Sequence, residues 1–364
     1  MSTERFDESF FEPGRNCMSV RHAQRFSLLF DGEDYFRVLR EALTRAERTV
    51  FILGWDIDSR MTLTPEGSGD GLPEALGDFL HAIAAHKKRL RIYILAWDFA
   101  MLYAFEREWL PVYKMGWRTH RRMAFQMDGK HPMGGSQHQK IVVIDDRLAC
   151  VGGLDLTRSR WDTTKHAADD PLRRYANGTP YQPFHDVHTM FDGDAAREIG
   201  MLARDRWART CGRRLAIRSH RVALSQDAWP PSRDVDLDDV RIAISLTEPA
   251  YLGRALVQQI RAQYLDAIAR AAASISRNST SLRDRSARRC RNRSRARTAR
   301  ISPSWCRAIR AAGFRKSRWA CCARGSAHAP ESGGSAWLLP ADVPGDSRSR
   351  QGHRQRVQQA DDCR

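Results

Sequence analysis

The sequence predicts an α/β protein, a mixed sheet flanked by helices, and three observations carry that reading. Segments with a helical apolar repeat alternate with short apolar runs of strand length, which is the grammar of a layered α/β fold. Two such runs, Ile141–Ile144 and Leu148–Val151, flank the polar stretch Asp145–Arg147 and read as strands joined by a tight turn. The length, 364 residues, is enough for two ordinary domains or one duplicated unit.

Taken in order, residues 1–25 form a mostly polar leader whose apolar pair, Phe10 and Phe11, reads as a packing anchor. Asp31–Ala46 places Tyr35, Phe36, Val38, Leu39, Ala42 and Leu43 at helical spacing, and Thr49–Gly54 comes next as a strand closed by Trp55, Asp56, Ile57 and Asp58. A second amphipathic helix is expected over Leu72–His86, a strand over Leu90–Ala96 and a helix over Asp98–Trp109. A basic, aromatic loop, Tyr113–Arg122, then leads to the hairpin; its charges, from Lys114 to Arg122, read as a solvated turn or as a contact for anionic lipid. Further on, Tyr251–Arg270 carries Leu256, Ile260, Tyr264, Leu265 and Ile268 on one helical face. A strand should come near position 274, where the chain instead reads ASISRNSTSLRDR.

The chemistry-bearing residues cluster at the hairpin. His138, Lys140 and Asp145 stand in the spacing H-x-K-x(4)-D, with Gly152 and Gly153 after the second run. Residues two apart on a strand share a face, so His138 and Lys140 point the same way there, whereas Asp145 has the opposite parity and acts only from the turn or across a bulge. A neutral imidazole can attack phosphorus and an ammonium can neutralise the non-bridging oxygens, so the pair suits chemistry on an anionic phosphate. A carboxylate can hold the imidazole in the right tautomer. The competing reading is a surface His and Lys at the mouth of a core hairpin.

The charge is uneven. Residues 271–364 hold 21 of the 60 Lys and Arg but only 6 of the 43 Asp and Glu, so the net charge of +17 belongs almost wholly to that tail. Arg, Ser and Ala dominate it and periodic apolar segments nearly vanish, so residues 271–364 are expected to be disordered. Five of the eight cysteines, Cys290, Cys306, Cys321, Cys322 and Cys363, fall there without zinc-ligand spacing. Only Cys17, Cys150 and Cys211 precede them, which fits a reducing, cytoplasmic compartment. No signal peptide or membrane-length apolar run is present, so at most peripheral contact with an inner membrane is expected.

The stretch from Gly134 to Asp162, GGSQHQKIVVIDDRLACVGGLDLTRSRWD, resembles the HKD motif of the phospholipase D superfamily in its long form. PFHDVH (Pro183–His188) and DGDAAREIGMLARDRW (Asp192–Trp207) also resemble the segments downstream of the first HKD motif in bacterial-type phospholipases D and phosphatidyltransferases. The resemblance implies a phospholipase D-like mixed sheet flanked by helices, the first of two repeats. Residues 26–220 would be that first domain, and 221–270 a linker with the first helix of the second repeat. In the superfamily two HKD motifs meet at one site: one His attacks the phosphodiester, and the other protonates the leaving alcohol. The resemblance gives His138 one of those roles, Lys140 the phosphate oxygens and Asp145 an orienting role, with no metal and no cofactor required. It implies close backbone approach at Gly152 and Gly153, and places Asp155 where many relatives carry Asn. His185 and Asp186 read either as a pair shaping the pocket mouth or as a buried polar pair ending a strand. Trp55, Trp97 and Trp161 read as core and rim packing.

The second motif is missing: His328 and His353, the histidines beyond residue 270, lack the pattern. Codon degeneracy offers a reason. Read one frame over, Ala273–Arg283 permits IYIE, then Glu, Lys or Gln, then QYFTS, similar to the family's strand IYIENQYFTS, and Ser304–Arg324 permits VVPRDTSGWL and EKSMGVLRA in the same frame. Residues 271–364 are therefore expected to be an out-of-frame translation, with activity impaired for the chain as it stands. The resemblance implies a phospholipid substrate and an anionic membrane surface as partners, with no specific nucleic acid. The alternatives weighed are a cardiolipin synthase-like transferase and a single-HKD nuclease, which would complete its site as a homodimer.

Overall fold

The chain enters its sheet through one long strand, β1 (Ser19–Phe30), and turns directly into α1 (Asp31–Arg45). The computed structural model describes residues 10–98, 120–175, 177–215 and 224–271. All of them fall in one compact unit, Met1–Gly334; a second unit, Ser335–Arg364, lies outside the described residues, as does everything after residue 271. The expected helix over Asp98–Trp109 and the loop up to residue 119 also lie outside them, apart from Asp98 itself.

The six apolar positions expected on one face of α1 are all buried, and its first turn carries Asp31, Glu33 and Asp34, which suits the positive end of the helix dipole. Next come β2 (Thr49–Gly54), α2 (Leu76–His86), β3 (Arg91–Trp97), β4 (Met123–Asp128), β5 (Ile141–Ile144), β6 (Leu148–Gly152), β7 (Val187–Asp192), α3 (Gly193–Cys211) and β8 (Leu237–Ile244). A two-residue pair, β9 (Thr247–Glu248) and β10 (Val257–Gln258), precedes a helical stretch over 259–271. The helix expected from Leu72 starts at Leu76, because the Leu72 and Pro73 carbonyls accept hydrogen bonds from the buried Arg40 guanidinium at 3.0 and 2.9 Å instead of joining a helical ladder. The helix expected from Tyr251 likewise starts later, since Val257 and Gln258 pair with Glu248 and Thr247.

The eight long strands form one mixed sheet in the order β4-β3-β2-β5-β6-β7-β1-β8. β2, β3 and β4 run parallel and the other neighbours antiparallel. The sheet reaches beyond the expected 26–220 domain at both ends: residues 19–25 belong to β1, and β8, from the expected linker, pairs along them. Backbone pairing at an open edge accounts for this, since β8 is mostly exposed and has little apolar periodicity to signal it.

Strand alternation sorts the core into two layers. Val50, Ile52, Ile92, Ile94, Val142 and Ile144 face α1 and α2. Phe51, Leu53, Leu95, Ile141, Val143 and Phe191 face α3. On the stretch 259–271 the apolar positions stay uncovered, with Tyr264 54% and Ile268 64% exposed. Among the described residues no helix is long and apolar enough to cross a membrane.

The hairpin turn is built by Asp145 and Asp146, both at positive φ (54° and 55°), the pairing that a type I′ turn requires. Asp146 makes a buried ion pair with Arg204 of α3. The Asp145 carboxylate accepts backbone N–H bonds from Glu47, Arg48 and Thr49 at 2.7–2.8 Å, fastening the turn to the start of β2. Asp145→Ala should therefore cost about 2 kcal/mol of stability by stranding these donors, measured by urea unfolding, and should leave the titration of His138 where it is.

Candidate active site

The register puts one end of four strands side by side. Leu53 of β2 pairs with Ile141 of β5, Ile141 with Val151 of β6, and Gly152 with His188 of β7. His138 and Lys140 arrive at that end in the segment just ahead of β5, outside the strand whose parity the sequence reading applied to them. Asp145 sits at the far end of β5, five residues and roughly 16 Å of strand away from Lys140. The structure thus separates the expected trio. Asp145 folds the hairpin and does not reach the imidazole.

Asp155 takes the place beside the lysine. Lys140 Nζ lies 2.8 Å from Asp155 Oδ2, with side chains only 8% and 2% exposed. The other oxygen, Oδ1, accepts the Trp55 N–H at 2.9 Å, which ties the end of β6 to the end of β2. Burial pushes the Asp155 carboxyl above the usual carboxylate range, and Lys140 and the Trp55 N–H act in the opposite direction. In Lys140→Met this buried carboxyl loses its cation. At neutral pH the variant should be less stable by about 2 kcal/mol, below the usual cost of breaking a buried pair because Asp155 can take up a proton. A carboxyl raised in the folded state favours folding below its unfolded pKa and loses that contribution as pH rises through the folded value. The deficit should therefore be smaller in mildly acid urea titrations than in neutral ones; a pH-independent deficit would contradict the assignment.

His138 is half-buried, and its ring meets the edge of Trp55 at 6.1 Å between centroids. Burial, then Lys140, then Arg160 push its pKa down to about 4, while Asp186 pulls the other way. At neutral pH the imidazole is uncharged and keeps a lone pair. Asp186 is held by its own backbone: its N–H donates to Asp31 Oδ1 at 3.2 Å and its carbonyl accepts the Asp31 N–H at 2.9 Å. The two glycines let this strand end come close, for a Cβ on Gly152 would overlap His188 and one on Gly153 would overlap the Asp186 carboxylate. A side chain at position 153 would therefore have to displace the Asp186 carboxylate.

The expected pair His185–Asp186 divides. Asp186 acts on His138, whereas His185 is about half exposed and bonds Asp31 through Nδ1 at 2.7 Å. Asp31, His166 and His185 present ligand atoms within 4.8 Å of one another, a set that could hold a divalent ion, and Asp162 backs His166 Nδ1 at 3.1 Å. Sequence reasoning missed Asp31 and His166, which lie 135 positions apart in the chain and carry no short-range signal.

It also missed the supports of the His138–Lys140 segment. Arg206 of α3, buried, donates to Gln139 Oε1 at 2.6 Å and pairs with buried Asp128 at the end of β4. His188, fully buried, stacks on Tyr35 at 3.8 Å and accepts the Leu154 N–H at 3.3 Å, with burial and Lys140 pushing its pKa down to about 3. The tryptophans behave as the packing reading expects at two positions, Trp97 and Trp161 being buried, while Trp55 stacks on Trp97 and reaches the site. Arg122 departs from the solvated-turn reading: it is buried and donates to the Ala84 carbonyl at 2.9 Å, finishing the last turn of α2.

No family model matches the chain. Among curated proteins it is similar to phospholipase D C of Dictyostelium discoideum, 29% identical over 203 residues, covering 49% of this chain and 12% of that protein. It is 26% identical over 207 residues to phospholipase D B of the same organism, covering 49% of this chain and 16% of that one. The chain thus spans only a small fraction of the length of these relatives. Among solved structures, the phospholipase D family member Nuc from Salmonella typhimurium overlaps 50% of this chain and 94% of its own, at 12% identity and a TM-score of 0.30.

Proposed function

The chain belongs to the phospholipase D superfamily, and on that premise we propose that residues up to 270 carry one half of a phosphodiester-cleaving site, with His138 as its nucleophile. The observation that carries this reading is the half-buried imidazole of His138, two residues from the buried Lys140–Asp155 pair, whose surroundings disfavour its protonation. In the proposed step a His138 ring nitrogen attacks phosphorus, the P–O bond to the alcohol breaks, and the departing oxygen needs a proton. Lys140 and Arg160 balance the charge on the non-bridging oxygens. Asp186 steadies the imidazole and its developing positive charge. Asp186 thus takes the orienting role that the spacing offered to Asp145, while Asp155 holds Lys140.

The proton for the leaving alcohol, and the activation of the water or alcohol that later breaks the P–N bond, would come from a second HKD half. The superfamily supplies it from a second repeat, and the exposed apolar positions of 259–271 support reading that stretch as the repeat's first helix. Residues 271–364 would be its out-of-frame remainder. The whole enzyme would act on phospholipid at a membrane surface, as hydrolase or phosphatidyltransferase.

A diester whose leaving group departs as an anion at neutral pH, such as bis(p-nitrophenyl) phosphate, bypasses the missing acid. The chain should release up to one equivalent of nitrophenolate and then stall. Alkaline quenching and peptide mapping should locate a phosphoryl adduct within residues 131–140. Steady turnover without any adduct would refute the nucleophile assignment.

A further inference from the structure

A cavity of about 840 Å³ opens beside the His138 site, within the range of small-ligand pockets. Its walls come from the segments after β2 and β6 and from the loop leading to Tyr181, and none of His138, Lys140, Asp155 and Asp186 lines it. Three guanidinium groups, of Arg60, Arg158 and Arg174, face one carboxylate, that of Asp58. Asp58 is already engaged, with Arg60 donating to both of its oxygens at 2.9 and 2.7 Å. Arg174 is fixed at the rim by the carbonyls of Pro171 and Gly178 at 3.0 and 2.9 Å. Arg174 has no carboxylate partner among the described residues, and Arg158 makes no hydrogen bond or ion pair among them, its charge only acting at a distance on the already engaged Asp58.

A second, independent feature points the same way. Trp161, 3% exposed, lines the cavity, and its buried Nε1–H has no acceptor among the described residues. A buried donor without a partner is costly unless a ligand or water supplies an oxygen. Two guanidinium groups held in no ion pair and a spare indole N–H call for an oxyanion, and guanidinium matches the oxygens of a phosphoryl group two at a time.

We propose that this cavity is a second anion site, taking a phosphoryl group with a small polar substituent between Arg158 and Arg174. It does not depend on His138 being a nucleophile. The phosphoryl group could arrive on a soluble ester or on a lipid headgroup, and two arms of one experiment separate these sources. In the first, sn-glycerol 3-phosphate is titrated into the full chain by calorimetry. In the second, the chain is floated with phosphatidylglycerol vesicles. Arg158→Glu and, at the exposed rim, Arg174→Glu should each weaken the affected arm tenfold or more. Arg197→Glu, an equal charge change on the exposed face of α3, should not, which controls for attraction between the basic tail and an anionic surface. Loss in the calorimetric arm alone identifies a soluble ester, and loss in the vesicle arm identifies a headgroup. Absence of saturable binding in both arms, or equal effects of Arg158→Glu and Arg197→Glu, overturns the proposal.

Discussion

His138→Gln should abolish the nitrophenolate burst and the adduct on residues 131–140, a loss of about 10⁴-fold or more in the rate of the first step. Glutamine keeps a polar, planar side chain of similar reach at a half-buried position, so the fold should survive. The burst also has a defined pH dependence. Protonation removes the lone pair that attacks phosphorus, and burial, Lys140 and Arg160 hold that protonation down to about pH 4. The burst rate should therefore stay level from neutral pH into mild acid and fall only as pH approaches 4, well below the range of an exposed histidine. A limb at ordinary histidine pH would mean that the ring is neither desolvated nor crowded by Lys140 and Arg160. A burst unchanged in His138→Gln would remove the imidazole from the chemistry altogether.

The sequence revealed much of the fold because the signals were local. The helical spacing from Tyr35 to Leu43 and the short apolar run along Thr49–Gly54 each decide an element within a dozen residues, and both elements stand where expected. The hairpin was equally legible, since apolar runs around a polar turn leave few other conformations. The site was only half legible. Spacing brought His138 and Lys140 together, but parity could not say what sits beside them, because they precede the ladder instead of lying in it. The partner of Lys140 proved to be Asp155, fifteen positions on and at the end of the next strand, a relation that depends on register and burial. Asp145 illustrates the converse, a carboxylate that motif spacing ties to the site and that tertiary structure uses to fasten a turn. Arg206 lies further still from any local signal, on a helix packed against the opposite face of the sheet.

Arg206→Ala is expected to be among the most disruptive single changes to this half-site. With the guanidinium gone, Asp128 stays buried with no cation, only the Lys130 N–H at 3.0 Å and the Thr210 hydroxyl remaining to it, and Gln139 Oε1 loses its partner. Leaving one member of a buried pair uncompensated should lower stability by roughly 4 kcal/mol at neutral pH. The sign with pH comes from Asp128. Burial alone would raise its pKa, but the Arg206 charge and hydrogen bonds hold it below the usual carboxylate value. A carboxyl lowered in the folded state contributes stability above its unfolded pKa and loses it as pH falls through the folded value. The gap between wild type and Arg206→Ala should accordingly close in acid. Stability alone would not show that Arg206 positions the reacting groups. Gln139→Ala does, because it keeps the Arg206–Asp128 pair and removes only the link to the His138–Lys140 segment. It should cost about 1 kcal/mol. Yet both variants should move the His138 titration, followed by NMR of ring-labelled protein, up from about 4 toward the ordinary histidine value as the segment loosens and the ring gains water. If the titration stays at its wild-type position in Gln139→Ala, the contact from α3 holds the core together and leaves the imidazole alone.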